Sequence, residues 1–291
     1  MSGTTHMARS IVRRSSWRGY DGRVSARPTG PRLACSTASA FTRPLRAIFE
    51  LLAETGFTGV EIMVTKDPAT QDPLSIRELA EEYDLRVDAI HAPFLLITRS
   101  VWGTEPLGKV YRAIELAEEV DAPIVIVHPP YRWQAAYRRW LDERLPGLER
   151  STGVRVAVEN MFPVRVRGRK IADLYAARGL ADLEGSPDVV LDTSHAAVAN
   201  IDLLETLARL RGRLAHVHLS NNAGKGWDSH LPVDEGVLDL SPFLEALGDS
   251  GFDGTVSLEL DLRRHAAEDA QIRDVLERNR RFCEDRLRAR S

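Results

Sequence analysis

Imidazole and carboxylate side chains are concentrated in the stretch HVHLSNNAGKGWDSH, which runs from His216 to His230. It holds three of the eight histidines of the chain, together with Asp228. Neutral imidazole and carboxylate are the usual ligands of Zn²⁺, Mn²⁺ and related divalent ions, and both groups can also transfer protons. The stretch therefore predicts metal or acid–base chemistry, provided that the fold brings comparable side chains to meet it.

Comparable side chains recur along the chain, each at or just after the end of a short apolar run. One such residue is usually only solvated or hydrogen-bonded, but the same coincidence in six successive runs predicts a shared site. The six residues are, in chain order, His91, His128, Glu159, Asp192, His218 and Glu259. His195 follows Asp192 by three residues, and Asp228 and His230 follow His218 within the same stretch.

The apolar runs predict eight β-strands, and the amphipathic segments between them predict helices, for example over residues 43–56, 106–120 and 241–251. Continuous apolar strands are typical of a parallel sheet that is buried on both faces. The predicted strands are RLACS (32–36), GVEIMV (59–64), RVDAIH (86–91), PIVIVH (123–128), VRVAVE (154–159), DVVLD (188–192), LAHVH (214–218) and GTVSLE (254–259).

Eight strand–helix units in residues 32–288 predict an α/β protein with a single (β/α)₈ TIM barrel. A doubly wound open sheet is the alternative, but no strand here opens a glycine-rich phosphate-binding turn. Active sites of TIM barrels lie at the carboxyl ends of the strands, so the six residues meet on one rim. His216 lies two residues before His218 and faces the same way one layer deeper, as a supporting or buried polar residue.

A divalent metal ion is the expected consequence of this convergence. Carboxylates that meet without a cation repel one another, and their pKa values rise. A metal ion removes that conflict, and the donor set suits Mn²⁺, Zn²⁺, Co²⁺ or Mg²⁺.

The motifs, taken in order, resemble those of the xylose isomerase-like TIM-barrel superfamily, which includes sugar isomerases and epimerases as well as endonuclease IV. The resemblance covers roughly residues 32–288, and the closest likeness is to bacterial proteins called sugar phosphate isomerase/epimerases, a label that usually rests on fold alone. The motifs that carry it are GFTGVEIMV, IHAPF, IVIVHPP, VAVENM, VVLDTSHA, HVHLS, DSHLPVDEG and VSLELD.

The resemblance to the ketose epimerases of this superfamily implies one essential metal ion, held by Glu159, Asp192, His218 and Glu259. An ion bound to a carbonyl and the adjacent hydroxyl stabilises the enediolate that forms when the α-proton leaves. Glu159 and Glu259, on opposite sides of the substrate, would remove and return that proton. His195 would bind a substrate oxygen. The implied activity is a metal-dependent isomerase or epimerase of a sugar or sugar phosphate.

The resemblance to endonuclease IV implies the alternative, a zinc-dependent phosphodiesterase that acts on abasic DNA with up to three metal ions. Two departures weigh against it. The nuclease family opens strand one with Gly-Ala-His where this chain has LACSTASAF, and the acidic barrel would need a local basic track to bind DNA. Another metal-dependent lyase or hydrolase is a further alternative. A non-catalytic binding module is not favoured, because it would not need a complete set of metal ligands. The further ligands that the nuclease reading adds are His91, His128, His195, Asp228 and His230.

Candidate substrate-binding residues surround the expected metal site. Arg165 lies in the segment FPVRVRGRK after strand five, which suits a phosphate group or, equally, a solvated loop. Trp133 belongs to the aromatic residues of the rim, for which a packing role is the alternative. The other candidates are His91, His128, His195 and His230.

Composition limits the class of protein. The chain is 43% hydrophobic and 28% charged, and no apolar run approaches the roughly 18 residues that span a bilayer, so no membrane partner is expected. Cys35 and Cys283 stand near opposite ends, which predicts no disulfide framework and a cytoplasmic protein. Composition leaves open whether the chain forms a homo-oligomer.

Residues 1–31 differ from the rest of the chain. They carry six arginines against one acid, Asp21, so the remainder has a net charge of about −8. The segment has little apolar periodicity and ends in RPTGP, which predicts a disordered basic extension and not a secretory signal. A transit peptide or a nucleic-acid-binding arm has a similar composition, and a start site upstream of the natural one at Met7 or an expression scar is the alternative.

Overall fold

The computed structural model describes most of the chain. The described residues are 30–94, 98–166, 169–172, 174–175, 188–210, 212–265 and 268–288. The extension predicted for residues 1–31 lies outside them except for its last two residues, so its character stays a prediction.

Eight parallel strands close into a barrel, which confirms the predicted fold class. The strands of the described chain are β1 (Arg32–Ser36), β2 (Gly59–Met63), β3 (Arg86–His91), β4 (Ile124–Val127), β5 (Arg155–Glu159), β6 (Val164–Val166), β7 (Arg169–Ala172), β8 (Asp188–Asp192), β9 (Leu214–Leu219) and β10 (Thr255–Leu258). The order in the barrel is β1-β2-β3-β4-β5-β8-β9-β10, and β10 pairs with β1. Every barrel strand lies within one residue of its predicted bounds at each end.

The segment after β5 differs from the expected loop. Its β6 and β7 form a separate antiparallel pair, in which Val164 pairs with Ala172 and Val166 pairs with Arg169. The alternation of valine and arginine in residues 164–166 has the period of two that a strand requires. The charges of this segment suggest a loop, and its alternation was not taken into account in the prediction.

Among the described residues, helices follow every barrel strand except β5, as the amphipathic segments predict. Several starts are encoded locally: Asp72 accepts hydrogen bonds from the backbone of Leu74 and Ser75, and Pro73 occupies the first helical position. None of the described helices is long and apolar enough to cross a membrane. The helices are α1 (Leu45–Glu54), α2 (Pro73–Glu82), α3 (Pro106–Glu119), α4 (Ala135–Glu143), α5 (Leu145–Thr152), α6 (Thr193–Ala199), α7 (Leu203–Leu210), α8 (Ser241–Asp249) and α9 (Asp269–Leu287).

Apolar side chains lie directly beneath the predicted rim residues on several strands. Because strand side chains alternate between faces, the residue two positions before each rim residue points the same way. On β3, β5 and β8 these residues are Ala89, Ala157 and Val190, which belong to a small buried cluster distinct from the main core. On β9 the equivalent position is His216, which is fully buried. Small apolar side chains therefore pack beneath several of the rim residues, and the imidazole of His216 lies in the same layer.

Candidate metal centre

Four residues at the ends of neighbouring strands form what we call the four-ligand centre: Glu159, Asp192, His218 and Glu259. Each offers one ligand atom, and these atoms all lie within 4.8 Å of one another. Nδ1 of His218 is the common point, 3.0 Å from Oε1 of Glu159, 3.1 Å from Oε2 of Glu259 and 3.9 Å from Oδ2 of Asp192. The barrel thus brings together the four residues that the resemblance to ketose epimerases implies as ligands of one metal ion.

Local structure orients each of these groups. Asp192 ends β8 and caps α6, because its Oδ1 accepts a 2.7 Å hydrogen bond from the backbone of His195. That bond leaves Oδ2 directed at the centre, buried and without a hydrogen-bond partner among the described residues. Within the same part of the chain, Oε2 of Glu159 is likewise buried and has no hydrogen-bond partner. Unpaired buried carboxylate oxygens are costly, and a divalent cation would satisfy both, so the residues present fit a metal ion.

Electrostatics in the centre agree with this donor set. Burial lowers the pKa of His218, but the surrounding carboxylates, that of Glu61 foremost, outweigh it and hold the pKa well above its usual value. Burial also opposes ionisation of Glu159, yet His218 keeps the pKa of that carboxyl well below its usual range. For Asp192, burial prevails and raises the pKa to about 6. One protonated imidazole therefore does not neutralise the three carboxylates of the centre. The excess of negative charge is what is expected of a cation site.

A histidine pair stands on the other side of Glu159. Nε2 of His128 lies 3.2 Å from Oε2 of Glu159 without the angles of a hydrogen bond, and Nε2 of His91 lies 3.6 Å from the same atom. Nδ1 of His91 lies 3.0 Å from the carbonyl oxygen of Ala92. A proton on Nδ1 would bind that carbonyl and leave the Nε2 lone pair facing the carboxylate, which is how a histidine ligand is held ready for a metal.

A second cluster, the Asp228 group, consists of His195, Asp228 and His230. Oδ2 of Asp228 lies 2.5 Å from Nε2 of His230 and 3.3 Å from Nε2 of His195. The opposite ring nitrogens contact backbone carbonyls: Nδ1 of His195 is 2.9 Å from the carbonyl oxygen of Asn160, and Nδ1 of His230 is 3.1 Å from that of Glu259. Both rings thus direct Nε2 at one carboxylate, and Asp192 lies close enough to join His195 and His230 as ligands.

The loop that carries Asp228 and His230 is closed at its base. Asn221 pairs with Leu231 through two 2.8 Å backbone hydrogen bonds. Gly236 crosses Asn221 so closely that a β-carbon there would lie 2.6 Å from Oδ1 of Asn221, and its φ of 109° also disfavours other residues. The stretch His216–His230 is therefore a strand end followed by a closed loop that returns Asp228 and His230 to the rim.

Glu61 is a site residue that the sequence reading missed. It lies in the middle of β2, fully buried, with Oε2 2.8 Å from Nε2 of His216 and 3.2 Å from Nε2 of His218. A glutamate within the apolar run GVEIM was the available signal, since an unpaired carboxylate is almost never buried. Glu61 contacts both rings and so links His216 to His218. This link agrees with the prediction that His216 supports the site.

A cavity of about 530 Å³ opens over the centre. Its floor includes Glu159, Glu259 and all three members of the Asp228 group, and both members of the histidine pair line it as well. Its walls are mostly aromatic or aliphatic, formed by Phe41, Met63, Phe94, Tyr131, Met161, Phe162, Leu174, Tyr175 and Leu260. The size suits a small molecule.

The two remaining predicted substrate-binding residues are Trp133 and Arg165. Trp133 does not line it: the ring is 68% exposed and stacks on Tyr131, with the ring centroids 4.8 Å apart. Of these two stacked rings, that of Tyr131 lines the cavity. The backbone of Arg165 lies in β6, but its side chain lies outside the described part of the structure, so its role stays a prediction.

The sequence model of the family described as Xylose isomerase-like TIM barrel matches residues 49–282. The chain belongs to this family. An uncharacterized protein of Mycobacterium tuberculosis (strain H37Rv) is 36% identical to this xylose isomerase-like barrel over an alignment of 247 residues, and the match covers 79% of this chain and 88% of the relative.

Solved structures share the fold of this xylose isomerase-like barrel. A D-tagatose 3-epimerase-like protein is 23% identical with a TM-score of 0.64, and covers 88% of this chain and 99% of its own. An AP endonuclease, family 2, from Brucella melitensis is 20% identical with a TM-score of 0.61, and covers 81% and 98%. An IolI protein with a bound zinc atom is 18% identical with a TM-score of 0.66, and covers 88% and 98%. At these identities the likeness concerns the fold alone.

Proposed function

We propose that the protein is a divalent-metal-dependent isomerase or epimerase of a sugar or sugar phosphate. The observation that carries the proposal is the position of two glutamates at the floor of a small cavity. Glu159 and Glu259 each place a carboxylate oxygen within 3.1 Å of Nδ1 of His218, and both line the cavity. A pair of carboxylates beside a metal ion can remove a proton next to a carbonyl and deliver a proton on the opposite face.

The four-ligand centre would hold the ion. When bound, the ion supplies Lewis-acid stabilisation of the negative charge that develops beside a substrate carbonyl. One of Glu159 and Glu259, as a carboxylate, would accept the substrate proton on one face, and the other, as a carboxylic acid, would donate its own proton on the opposite face. Asp192 and His218 lie beneath the cavity surface, so their only role in this proposal is to bind the ion.

His195 orients the substrate in this proposal. Its ring lines the cavity between Asp228 and the four-ligand centre, with Nε2 3.3 Å from Oδ2 of Asp228. Burial opposes its protonation, but Asp192 and Asp228 together hold its pKa well above the usual value. A charged His195 donates a hydrogen bond from Nε2, so it can share that proton between Asp228 and a substrate oxygen.

The cavity walls support a small carbon substrate. Aromatic side chains such as Tyr131, Phe94 and Phe162 present ring faces, which pack against the C–H faces of sugars. Among the described residues that line the cavity, Arg263 is the sole guanidinium, and its Nε and Nη2 already donate to Asp261 at 2.8 and 2.7 Å. A basic track for a DNA backbone is not found among those described residues.

A second candidate, a zinc-dependent phosphodiesterase that acts on abasic DNA, is favoured by one observation. Two further ligand groups flank the four-ligand centre: the His91–His128 pair beside Glu159, and the Asp228 group. Three metal ions bound in this way would neutralise a phosphate and generate hydroxide. The fold of an AP endonuclease, family 2, adds the same candidate by analogy.

Metal analysis combined with the double variant Asp228→Asn/His230→Ala tests the proposal. On the isomerase proposal, the purified protein holds one tightly bound ion, the double variant keeps it, and a screen of ketoses and their phosphates yields an interconverted pair that chelation abolishes. Three tightly held zinc ions and nicking of abasic duplex DNA, both lost in the double variant, would replace this proposal with the phosphodiesterase.

A further inference from the structure

A carboxylate stands at the centre of the barrel beneath the rim. Glu61 is fully buried between the apolar neighbours Val60 and Ile62 of β2, which are themselves fully buried. Its Oε1 has no hydrogen-bond partner among the described residues, and its Oε2 is approached by two imidazole nitrogens. Burial of an ionised carboxylate is costly unless hydrogen bonds compensate for lost water, so the two imidazoles must account for its presence.

His218 lies between this carboxylate and the four-ligand centre. Nε2 of the ring is 3.2 Å from Oε2 of Glu61, whereas Nδ1, on the other side, is 3.0 Å from Oε1 of Glu159. A neutral imidazole carries one proton. A proton on Nε2 binds Glu61 and leaves the Nδ1 lone pair directed at the centre. The opposite tautomer would point a lone pair at the carboxylate of Glu61 and a proton at the position that an ion must occupy.

His216 fixes the carboxylate from a third direction. Its Nε2 lies 2.8 Å from the same Oε2 of Glu61, and its ring stands perpendicular to that of His218, with an interplanar angle of 87°. Two ring nitrogens therefore meet one oxygen of Glu61, and each can donate an N–H group to it. Because His216 and Glu61 are both fully buried, neither can move to solvent without opening the barrel.

We propose that Glu61 is a positioning residue for the metal ligand His218: it accepts the Nε2 proton and so presents the Nδ1 lone pair to the ion, while His216 holds the carboxylate in place. The proposal rests on the metal site of the proposed function and adds a residue that does not itself touch the ion. Carboxylates that accept the second N–H of a ligating histidine set its tautomer, fix its orientation and raise its basicity.

The same three residues offer a competing arrangement. One atom each of Glu61, His216 and His218 lie close enough to bind an ion directly. In that arrangement both Nε2 atoms would be metal ligands and carry no proton, and His218 would lose the proton that directs Nδ1 to the four-ligand centre. The 2.8 Å separation of Nε2 and Oε2 is a normal hydrogen-bond length, which favours the positioning role.

Zinc affinity of the Glu61→Gln variant tests the proposal without reference to turnover. Glutamine keeps the shape and one carbonyl acceptor but loses the charge, so zinc should bind about 10- to 100-fold more weakly, measured by competition with a chromophoric chelator. Asp88→Asn is the matched control: Asp88 is a fully buried carboxylate of the adjacent strand β3 that binds Arg86 instead of a histidine. Its zinc affinity should equal that of the wild type.

The ring protons of the wild-type protein provide a test that needs no variant. In zinc-loaded protein with ¹⁵N-labelled histidine, NMR should find His218 protonated at Nε2 and metal-bound at Nδ1, and this result stands even if Glu61→Gln fails to fold. A proton on Nδ1, or the absence of Nε2 protons on both rings, overturns the proposal.

The outcomes separate the two levels of the argument. Unchanged zinc affinity in folded Glu61→Gln overturns the role of Glu61 and leaves the metal site intact. A wild-type protein that binds no zinc overturns the metal site of the proposed function, and the role of Glu61 with it.

Discussion

The side chain of Asn221 should determine whether the loop that carries the Asp228 group stays in place. Oδ1 of Asn221 accepts hydrogen bonds from the backbone of Asn222 (2.8 Å) and Leu238 (2.9 Å). Its Nδ2 donates to the carbonyl oxygens of Val233 (3.1 Å) and Leu238 (2.9 Å). One buried amide therefore fastens the returning part of the loop to the end of β9.

Asn221→Ala removes all four of these hydrogen bonds and leaves the backbone partners without their amide. At a net value of about 1 kcal/mol for each bond, the loss of stability is about 4 kcal/mol. For a domain of this size that loss corresponds to a fall in melting temperature on the order of 10 °C. Because β9 is held mainly by its neighbours in the sheet, the four-ligand centre should survive at temperatures below unfolding.

Calorimetry gives the melting temperature, and hydrogen exchange followed by mass spectrometry reports on the loop. Amides of residues 222–238 should exchange faster in Asn221→Ala, whereas those of β9 should keep their protection. Thr55→Val is the control, because it removes a buried hydroxyl that donates to Leu51 at the end of α1, remote from the loop in the chain. Unchanged loop exchange in Asn221→Ala would refute the idea that this amide holds the Asp228 group on the rim.

Three further predictions follow from the site. Glu159→Gln and Glu259→Gln should each lower kcat by about 10²- to 10⁴-fold while the circular dichroism spectrum stays that of the wild type, and a variant with full turnover would exclude that glutamate from proton transfer. Zinc affinity should rise with pH, because the raised pKa of His218 keeps the metal-free ring protonated at neutral pH and the ion must displace that proton. A zinc affinity that does not change with pH across the neutral range, measured by competition with a chelator, would contradict this. Trp133→Ala should leave KM nearly unchanged, since the ring lies outside the cavity, whereas Tyr131→Ala should raise it; the reverse order in steady-state kinetics would put the exposed ring in the binding site.

The eight barrel strands were predictable because each is a continuous apolar run between polar breaks, and the polar residue that ends a run is visible without a structure. The run ends predict six rim residues, and the four residues of the four-ligand centre were selected from them by the resemblance to ketose epimerases. Period-two alternation also assigned His216 to the layer beneath His218, since that inference needs only the strand on which both residues lie.

Contacts between distant parts of the chain were not predictable from these patterns. Glu61 lies 155 residues before His216 in the chain, and only closure of the barrel brings β2 and β9 to face each other across its interior. The position of Trp133 depended on the path of a loop, which hydrophobic periodicity does not specify. The β6–β7 hairpin was missed because its residues were read for charge instead of alternation.

A single metal ion at the four-ligand centre is the central claim, and anomalous diffraction from crystals of the zinc- or manganese-loaded protein tests it directly. The strongest anomalous peak should lie among Glu159, Asp192, His218 and Glu259, bonded to Nδ1 of His218, with weaker peaks or none beside Asp228. The absence of a peak among these four residues, with metal bound elsewhere or not at all, would contradict the central claim.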